Sequence, residues 1–260
     1  MSRYKDEKGK RREGTLKEKK VKKLALRLGL MTVVALLLTV GSVTVSFVMP
    51  QVVENYVRAN VGTEVVKIVG VGGTGSGFYI KYKDKNLIVT NKHVCQLKTP
   101  DDQLWTIDYG KDTKVIRKVL ILSEEHDLCL LTGDENNHGL SVSDKQMEVG
   151  TKSYLVGHPT GQPLTVSYGT YIGDKTISMP VPTPINTKYG IVYLPFLTDF
   201  ETNQFHQYAR PGSSGSPITD IYGNVVAVLF AGINNDSFKS FGVPSRFLVN
   251  LIKKYDEQTR

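Results

Sequence analysis

Pro211-Gly212-Ser213-Ser214-Gly215-Ser216-Pro217 sets a serine among glycines and between prolines. A nucleophilic serine needs an exposed hydroxyl and backbone N–H donors aimed at the oxyanion that develops during acyl transfer. Glycines beside the serine let the backbone take up such a loop without steric conflict. Alone, the heptapeptide reads equally as an ordinary Gly/Ser/Pro turn. Its surroundings decide between the two.

On both sides lie short segments rich in Val, Ile, Leu, Tyr and Thr, separated by turn residues. One series runs Glu64–Val69, Gly77–Tyr82, Asn86–Thr90, Leu104–Tyr109, Lys114–Leu122 and Leu128–Leu131. A second runs Lys152–Val156, Leu164–Ile172, Ile191–Leu197, Ser216–Thr219, Val225–Phe230 and Phe241–Val243. Short strands with frequent turn signals predict an all-β sandwich or barrel. From about Ser245 the period changes: Phe247, Leu248, Leu251, Ile252 and Tyr255 form one apolar stripe of a closing amphipathic helix. No internal sequence repeat is evident.

Two further motifs stand in the first series. Leu87-Ile88-Val89-Thr90-Asn91-Lys92-His93-Val94-Cys95 is an apolar strand ending in a polar turn that presents a histidine, the side chain best suited to accept a proton near neutral pH. His126-Asp127-Leu128-Cys129-Leu130-Leu131 places an aspartate immediately before an apolar strand, where it can orient an imidazole from a core edge. Singly, each is common in structural positions. In the chain order His, Asp, Ser, with two in the first series and the serine in the second, they point to one site.

That order and those contexts resemble the trypsin-fold serine peptidases. Gly73-Thr74-Gly75-Ser76-Gly77-Phe78 is similar to the strand opening that precedes the family's histidine. Val156-Gly157-His158-Pro159-Thr160-Gly161 and Phe241-Gly242-Val243-Pro244-Ser245 resemble turns of the HtrA/Deg branch. The resemblance covers roughly residues 62–257. It implies two six-stranded antiparallel β-barrels, a triad of His93, Asp127 and Ser214, and an oxyanion hole from the N–H groups of Gly212 and Ser214. It also implies a protein or peptide substrate; no cofactor is expected, since no CxxC or Cys/His cluster has the spacing of a metal site. The chain departs from the digestive enzymes at two positions. Ser213 stands where they carry the aspartate that pairs with a newly cut N-terminus, so activity is expected without such a cut. Tyr208 stands where trypsin carries its pocket aspartate, so Tyr208 and Ala209 are expected to form an uncharged primary pocket for a small or medium apolar residue. With the chain ending at Arg260 after the helix, the PDZ domain frequent in the HtrA-like branch is not expected. A catalytically silent trypsin fold that binds a protein at the cell surface is the alternative reading.

Charge divides the chain unevenly. Residues 1–27 hold 12 Lys/Arg against 4 Asp/Glu, and the remainder holds 21 of each sign. The folded region therefore lacks the clustered positive charge that nucleic acid binding requires. Leu28 to Met49 is 22 residues without a charge, roughly 33 Å as a helix. That is enough to cross a hydrocarbon core of about 30 Å. It is too long for the apolar segment of a cleaved signal, and no small-residue cleavage site stands before Pro50. The expected order is a basic tail over 1–27, a membrane span over 28–49, a linker over 50–62 and a peptidase domain over 63–260. The preceding Lys and Arg residues keep the N-terminus cytoplasmic and the peptidase domain on the other side of the membrane. Cys95 and Cys129 either bridge or remain buried thiols.

Other signals point elsewhere. Gly70-Val71-Gly72-Gly73-Thr74-Gly75 matches G-x-G-x-x-G, but a strand follows where a dinucleotide site needs a helix N-terminus. His126, His138, His158 and His206 show no metal spacing, and no metal is expected. Asp108, a second candidate acid, sits inside a strand-like segment and fits the triad context less well than Asp127.

Overall fold

The computed structural model describes residues 31–32 and 50–260, apart from 100, 102, 109, 112, 135–137, 188–189 and 234–237, and without the side chains of 179–197. Two units are separable, Met1–Val53 and Glu54–Arg260. The expected span lies outside the described residues except for Met31 and Thr32. Among the described residues no helix is long and apolar enough to cross a membrane.

Within the second unit twelve strands occur among the described residues, in the segments rich in Val, Ile, Leu, Tyr and Thr. They are β1 (Val65–Gly70), β2 (Gly73–Tyr82), β3 (Lys85–Thr90), β4 (Gln103–Asp108), β5 (Val115–Leu122) and β6 (Cys129–Thr132). After them come β7 (Lys152–Gly157), β8 (Thr165–Thr187), β9 (Gly190–His206), β10 (Pro217–Thr219), β11 (Val225–Ile233) and β12 (Lys239–Pro244). They close into two six-stranded antiparallel barrels, ordered β1-β2-β3-β6-β5-β4 and β7-β8-β9-β12-β11-β10. The second order is the first advanced by six strands, so the barrels are topological duplicates. Nothing in the sequence repeats, because the duplication is one of chain path and not of side chains.

Each barrel fills its own interior. Val66, Ile68, Tyr79, Ile88, Val94, Leu104 and Leu131 pack in the first. Leu155, Tyr171, Phe205, Ile218, Ala227 and Leu229 pack in the second, where the paired Tyr171 and Phe205 rings lie 5.6 Å apart. Full burial of each such side chain contributes about 1.5–3 kcal/mol. Strand β4 alternates buried and half-buried residues, as a strand with one core face should.

A helix over residues 50–60 (α1) precedes the barrels. Its Val57 is fully buried and Arg58 Nη1 donates to Leu164 O at 2.9 Å. The segment from Glu54 onward therefore packs with the peptidase unit, where a linker was expected up to residue 62. A four-residue helix, α2 (Lys92–Cys95), follows β3. The closing helix α3 (Ser245–Gln258) starts where the periodicity placed it and buries Leu248, Leu251 and Ile252. The Phe247 ring, at the edge of the same stripe, stacks on His126 with centroids 3.7 Å apart.

Strands β8 and β9 are much longer than their sequence patterns indicated. They stay paired from Thr170↔His206 to Thr187↔Gly190, forming a two-stranded ribbon beyond the barrel. Pro180, Pro182 and Pro184 disguise this extension in the sequence.

Candidate active site

The histidine is positioned by the end of β3. Asn91 is still extended, and its side-chain Nδ2 donates to Asp127 O at 2.8 Å, tying the turn before α2 to the approach of β6. One residue into α2, His93 meets the Asp127 carboxylate twice. The ring Nδ1 lies 2.6 Å from Oδ2, and the main-chain N–H donates to Oδ1 at 2.9 Å. Because a carboxylate only accepts, this pairing assigns the ring proton to Nδ1 and leaves Nε2 with a free lone pair. The Asp127 side chain is 14% exposed and that of His93 46%, so the acid is sheltered and the imidazole is open to a ligand.

Two residues beyond each of these lies a cysteine, and Cys95 and Cys129 are joined in a fully buried disulfide. The bridge fastens α2, which carries His93, to β6, which begins two residues after Asp127.

Ser214 comes from the second barrel, on the loop between β9 and β10. Pro211 and Gly212, with φ of +85° at the glycine, are the central residues of a turn closed by Ser213 N–H donating to Arg210 O at 3.0 Å. Proline then glycine with positive φ is the signature of a type II turn. The four carbonyls from Pro211 to Ser214 are all anchored. Pro211 O accepts from Thr160 N–H (2.6 Å) and Gly212 O from Ser76 Oγ (2.9 Å). Ser213 O accepts from Ser216 N–H (3.0 Å) and Ser214 O from Ser76 N–H (2.8 Å). The amides of Ser213, Gly215 and Ser216 donate within the protein, the second of them to Leu229 O at 2.8 Å. The amides of Gly212 and Ser214 donate to no acceptor among the described residues.

The two halves meet at Gly75. A Cβ there would stand 2.7 Å from Val94 Cγ1, beside His93, and 3.3 Å from Ser214 O. Gly215 is equally constrained, since its φ is +85° and a Cβ would fall 2.1 Å from Ser76 O. Glycine at both positions is thus a requirement of close approach. The Ser214 hydroxyl and His93 Nε2 are not hydrogen-bonded to one another, as is common in catalytic pairs without substrate.

Tyr208 and Ala209 part company. Ala209 is 5% exposed and packs in the core of the second barrel beside Gly232. Tyr208 is half-exposed, with Arg210 Nε donating to its hydroxyl at 2.5 Å and Phe238 edge-on to its ring. With Arg210 and Ser213 it lines a groove of about 440 Å³ whose far wall is β8. His158, read from sequence as structural or solvent-facing, is structural. Its Nδ1–H donates to Gln162 O, and burial pushes the imidazole below its ordinary range. Sequence reasoning missed Asn91, Thr160 and Ser76 as supports of the site. Only the Gly-Ser-Gly setting of Ser76 carried any signal. Among the described residues no group of three His, Cys, Asp or Glu side chains could hold a metal ion.

Two duplicated six-stranded barrels, with a His–Asp pair on one and a serine in a glycine-flanked loop on the other, define the trypsin-like class of serine endopeptidase folds. The sequence signature described as trypsin-like peptidase domain matches residues 75–228, more than half of the chain, and the chain belongs to that family. It is 27% identical over 199 residues to protease Do-like 5, chloroplastic, of Arabidopsis thaliana, spanning 70% of this chain and 57% of that relative's length. Among solved structures it is similar to the Rv3671c protease of M. tuberculosis in its active form, with TM-score 0.63, 21% identity, and 79% and 86% of the two chains covered. It is also similar to the serine endoprotease from Yersinia pestis, with TM-score 0.61, 16% identity, and 80% and 68% covered. At these identities the structural likeness concerns the fold.

Proposed function

We propose that the chain is a membrane-anchored endopeptidase that cleaves peptide bonds through an acyl-enzyme on Ser214. The observation that carries this reading is the pairing of a doubly held His93–Asp127 unit with a serine turn, residues 211–216, in which the amides of Gly212 and Ser214 alone donate to no acceptor among the described residues. Ser214 Oγ attacks the scissile carbonyl while its proton passes to His93 Nε2. The carbonyl oxygen becomes an oxyanion received by the Gly212 and Ser214 amides. Collapse of the tetrahedral intermediate expels the amine, which takes the proton from His93. Water, activated by the same imidazole, then releases the acyl group. Asp127 holds the ring tautomer and stabilises the imidazolium.

Tyr208 brings no carboxylate to the groove it lines, which supports a small or medium apolar residue before the scissile bond; the charged side chains on that groove are Glu54 and Arg210. Peptides with Ala or Val at that position should turn over faster than Lys or Arg peptides, and the reverse order would exclude this specificity. The uncharged run Leu28–Met49 behind a basic tail supports a single bilayer span, with the peptidase on the side opposite the tail. The full chain should resist alkaline carbonate extraction from membranes, and its release into the supernatant would remove the anchor.

The first test is fluorophosphonate labelling of the full chain, read by mass spectrometry. Labelling of Ser214 that is lost in both Ser214→Ala and His93→Ala is the expected result. A folded chain that takes up no label would be a silent binding module of the same fold.

A further inference from the structure

We infer that Ser76, a residue of the first barrel, is the positioning residue that holds the nucleophile loop of the second barrel in its oxyanion-binding form; this rests on the peptidase reading above.

Ser76 is fully buried and four hydrogen bonds converge on it. Its main-chain N–H donates to Ser214 O at 2.8 Å, and its own carbonyl accepts from Thr90 Oγ1 at 2.7 Å. The hydroxyl donates to Gly212 O at 2.9 Å and accepts from His158 N–H at 2.9 Å. The direction of that relay is fixed by chemistry, because an amide N–H cannot accept and a carbonyl cannot donate. Three segments distant in sequence are tied through one oxygen atom, with partners 82 and 136 positions away.

The Gly212 carbonyl that Ser76 grips belongs to the peptide plane between residues 212 and 213. The two unspent amides, Gly212 N–H and Ser214 N–H, belong to the planes on either side of it. A rotation of the gripped plane would therefore swing both donors away from a common target. Thr160 N–H, anchoring Pro211 O, and Ser76 N–H, anchoring Ser214 O, hold the outer ends. The middle plane is held at its N–H end by Arg210 O, which accepts from Ser213 N–H at 3.0 Å, and at its carbonyl end by the Ser76 hydroxyl. A Cβ on Gly157 would lie 3.2 Å from Ser76 Oγ, so there is no room for another group to replace it from that side. Loss of the hydroxyl leaves the half-buried Gly212 carbonyl and the buried His158 amide without this partner, and the loop must move to satisfy them.

The test is steady-state kinetics on Ser76→Ala in the full chain, with a peptide boronate carrying an apolar P1 side chain as a tetrahedral-adduct probe. kcat should fall about 10–100-fold, approaching the loss seen when one oxyanion donor is removed. The boronate inhibition constant should rise by the same factor, while KM and the affinity for the cleaved peptide product stay within about two-fold. A purely structural residue would not split the readouts this way. Ser76→Cys keeps the side-chain volume but donates weakly, and should show the same split if the alanine variant fails to fold. Unchanged kcat and boronate affinity in a folded variant would overturn the inference, as would a loss shared equally by product affinity. A parent chain that labels at Ser214 but whose Ser76 variants match it would sink this inference alone, whereas an unlabelled parent would sink both readings.

Discussion

Both oxygens of the Asp127 carboxylate rest on His93, one against ring Nδ1 and the other against the main-chain N–H. An asparagine offers one acceptor where the carboxylate offers two. If its oxygen keeps the main-chain N–H, its NH2 group faces Nδ1 and drives the ring proton to Nε2, where the base is needed. Asp127→Asn should therefore lower kcat by about 10⁴ while leaving KM nearly unchanged; a loss of less than tenfold would show that the carboxylate is not needed to set the tautomer. At this scale the sequence offers His93, Asp127 and Ser214 as candidates only together, through their chain order and their contexts: a polar turn after a strand, an acid before a strand, a serine among glycines. Ser76 is not among them. Its Gly-Ser-Gly setting marks a close backbone approach, but its hydroxyl acts on partners far along the chain that no neighbouring residue reveals. Tyr208 and Ala209 show the same boundary. The family resemblance suggests one pocket for both, but Ala209 is buried in the barrel core while Tyr208 faces the groove.

Among the elements, α2 is too short to hold itself together, since a single turn spends more entropy than it recovers in hydrogen bonds. It is fixed instead by the Cys95–Cys129 disulfide, which closes a loop of 34 residues, and by Asn91. Replacing both cysteines by alanine should reduce stability by about 2–4 kcal/mol, as measured by denaturant unfolding, and should loosen His93 against Asp127. Undiminished stability would show that packing alone secures the turn. The β8–β9 ribbon poses a different problem, because two long strands present free edges to other chains. Antiparallel pairs alternate between sites that exchange both hydrogen bonds and sites whose N–H and C=O point outward. Pro180, Pro182 and Pro184 occupy alternate positions of β8, and Pro195 lies opposite Pro182. All four share one class of site, and since proline has no N–H it must be the outward one. The edge of β8 is thereby stripped of three successive donors. Restoring them with Thr at positions 180, 182 and 184 should promote self-association detectable by light scattering; a variant that stays as dispersed as the parent would remove this role.

For the whole molecule, charge and topology carry the remaining consequences. Arg117, 3% exposed, donates to Asp134 Oδ1 at 2.7 Å and to the Tyr79 hydroxyl at 2.8 Å, and the Tyr79 proton has Asp108 and Asp134 as its acceptors. Burial raises the Tyr79 phenol far above its ordinary range, so it stays neutral. The hydrogen bond from Arg117 holds Asp134 below its ordinary range. A carboxylate depressed in the folded state contributes stability that is present above its unfolded value, about pH 4, and is lost as pH falls from there through the folded value. Asp134→Asn should flatten this acid limb of the unfolding curve without shifting the neutral plateau's slope, and an unchanged limb would place the titration elsewhere. By itself the sequence determined the strand series, the closing helix, the three candidate reactive residues and the charge division of the chain, because these are written in the periodicity, composition or order of residues along the chain. Only the tertiary structure decided that the two barrels repeat one path, that Cys95 and Cys129 join, that β8 and β9 run on as a ribbon, and that Ser76 reaches the nucleophile loop. Those features depend on which distant segments share a barrel wall, and local patterns do not encode that.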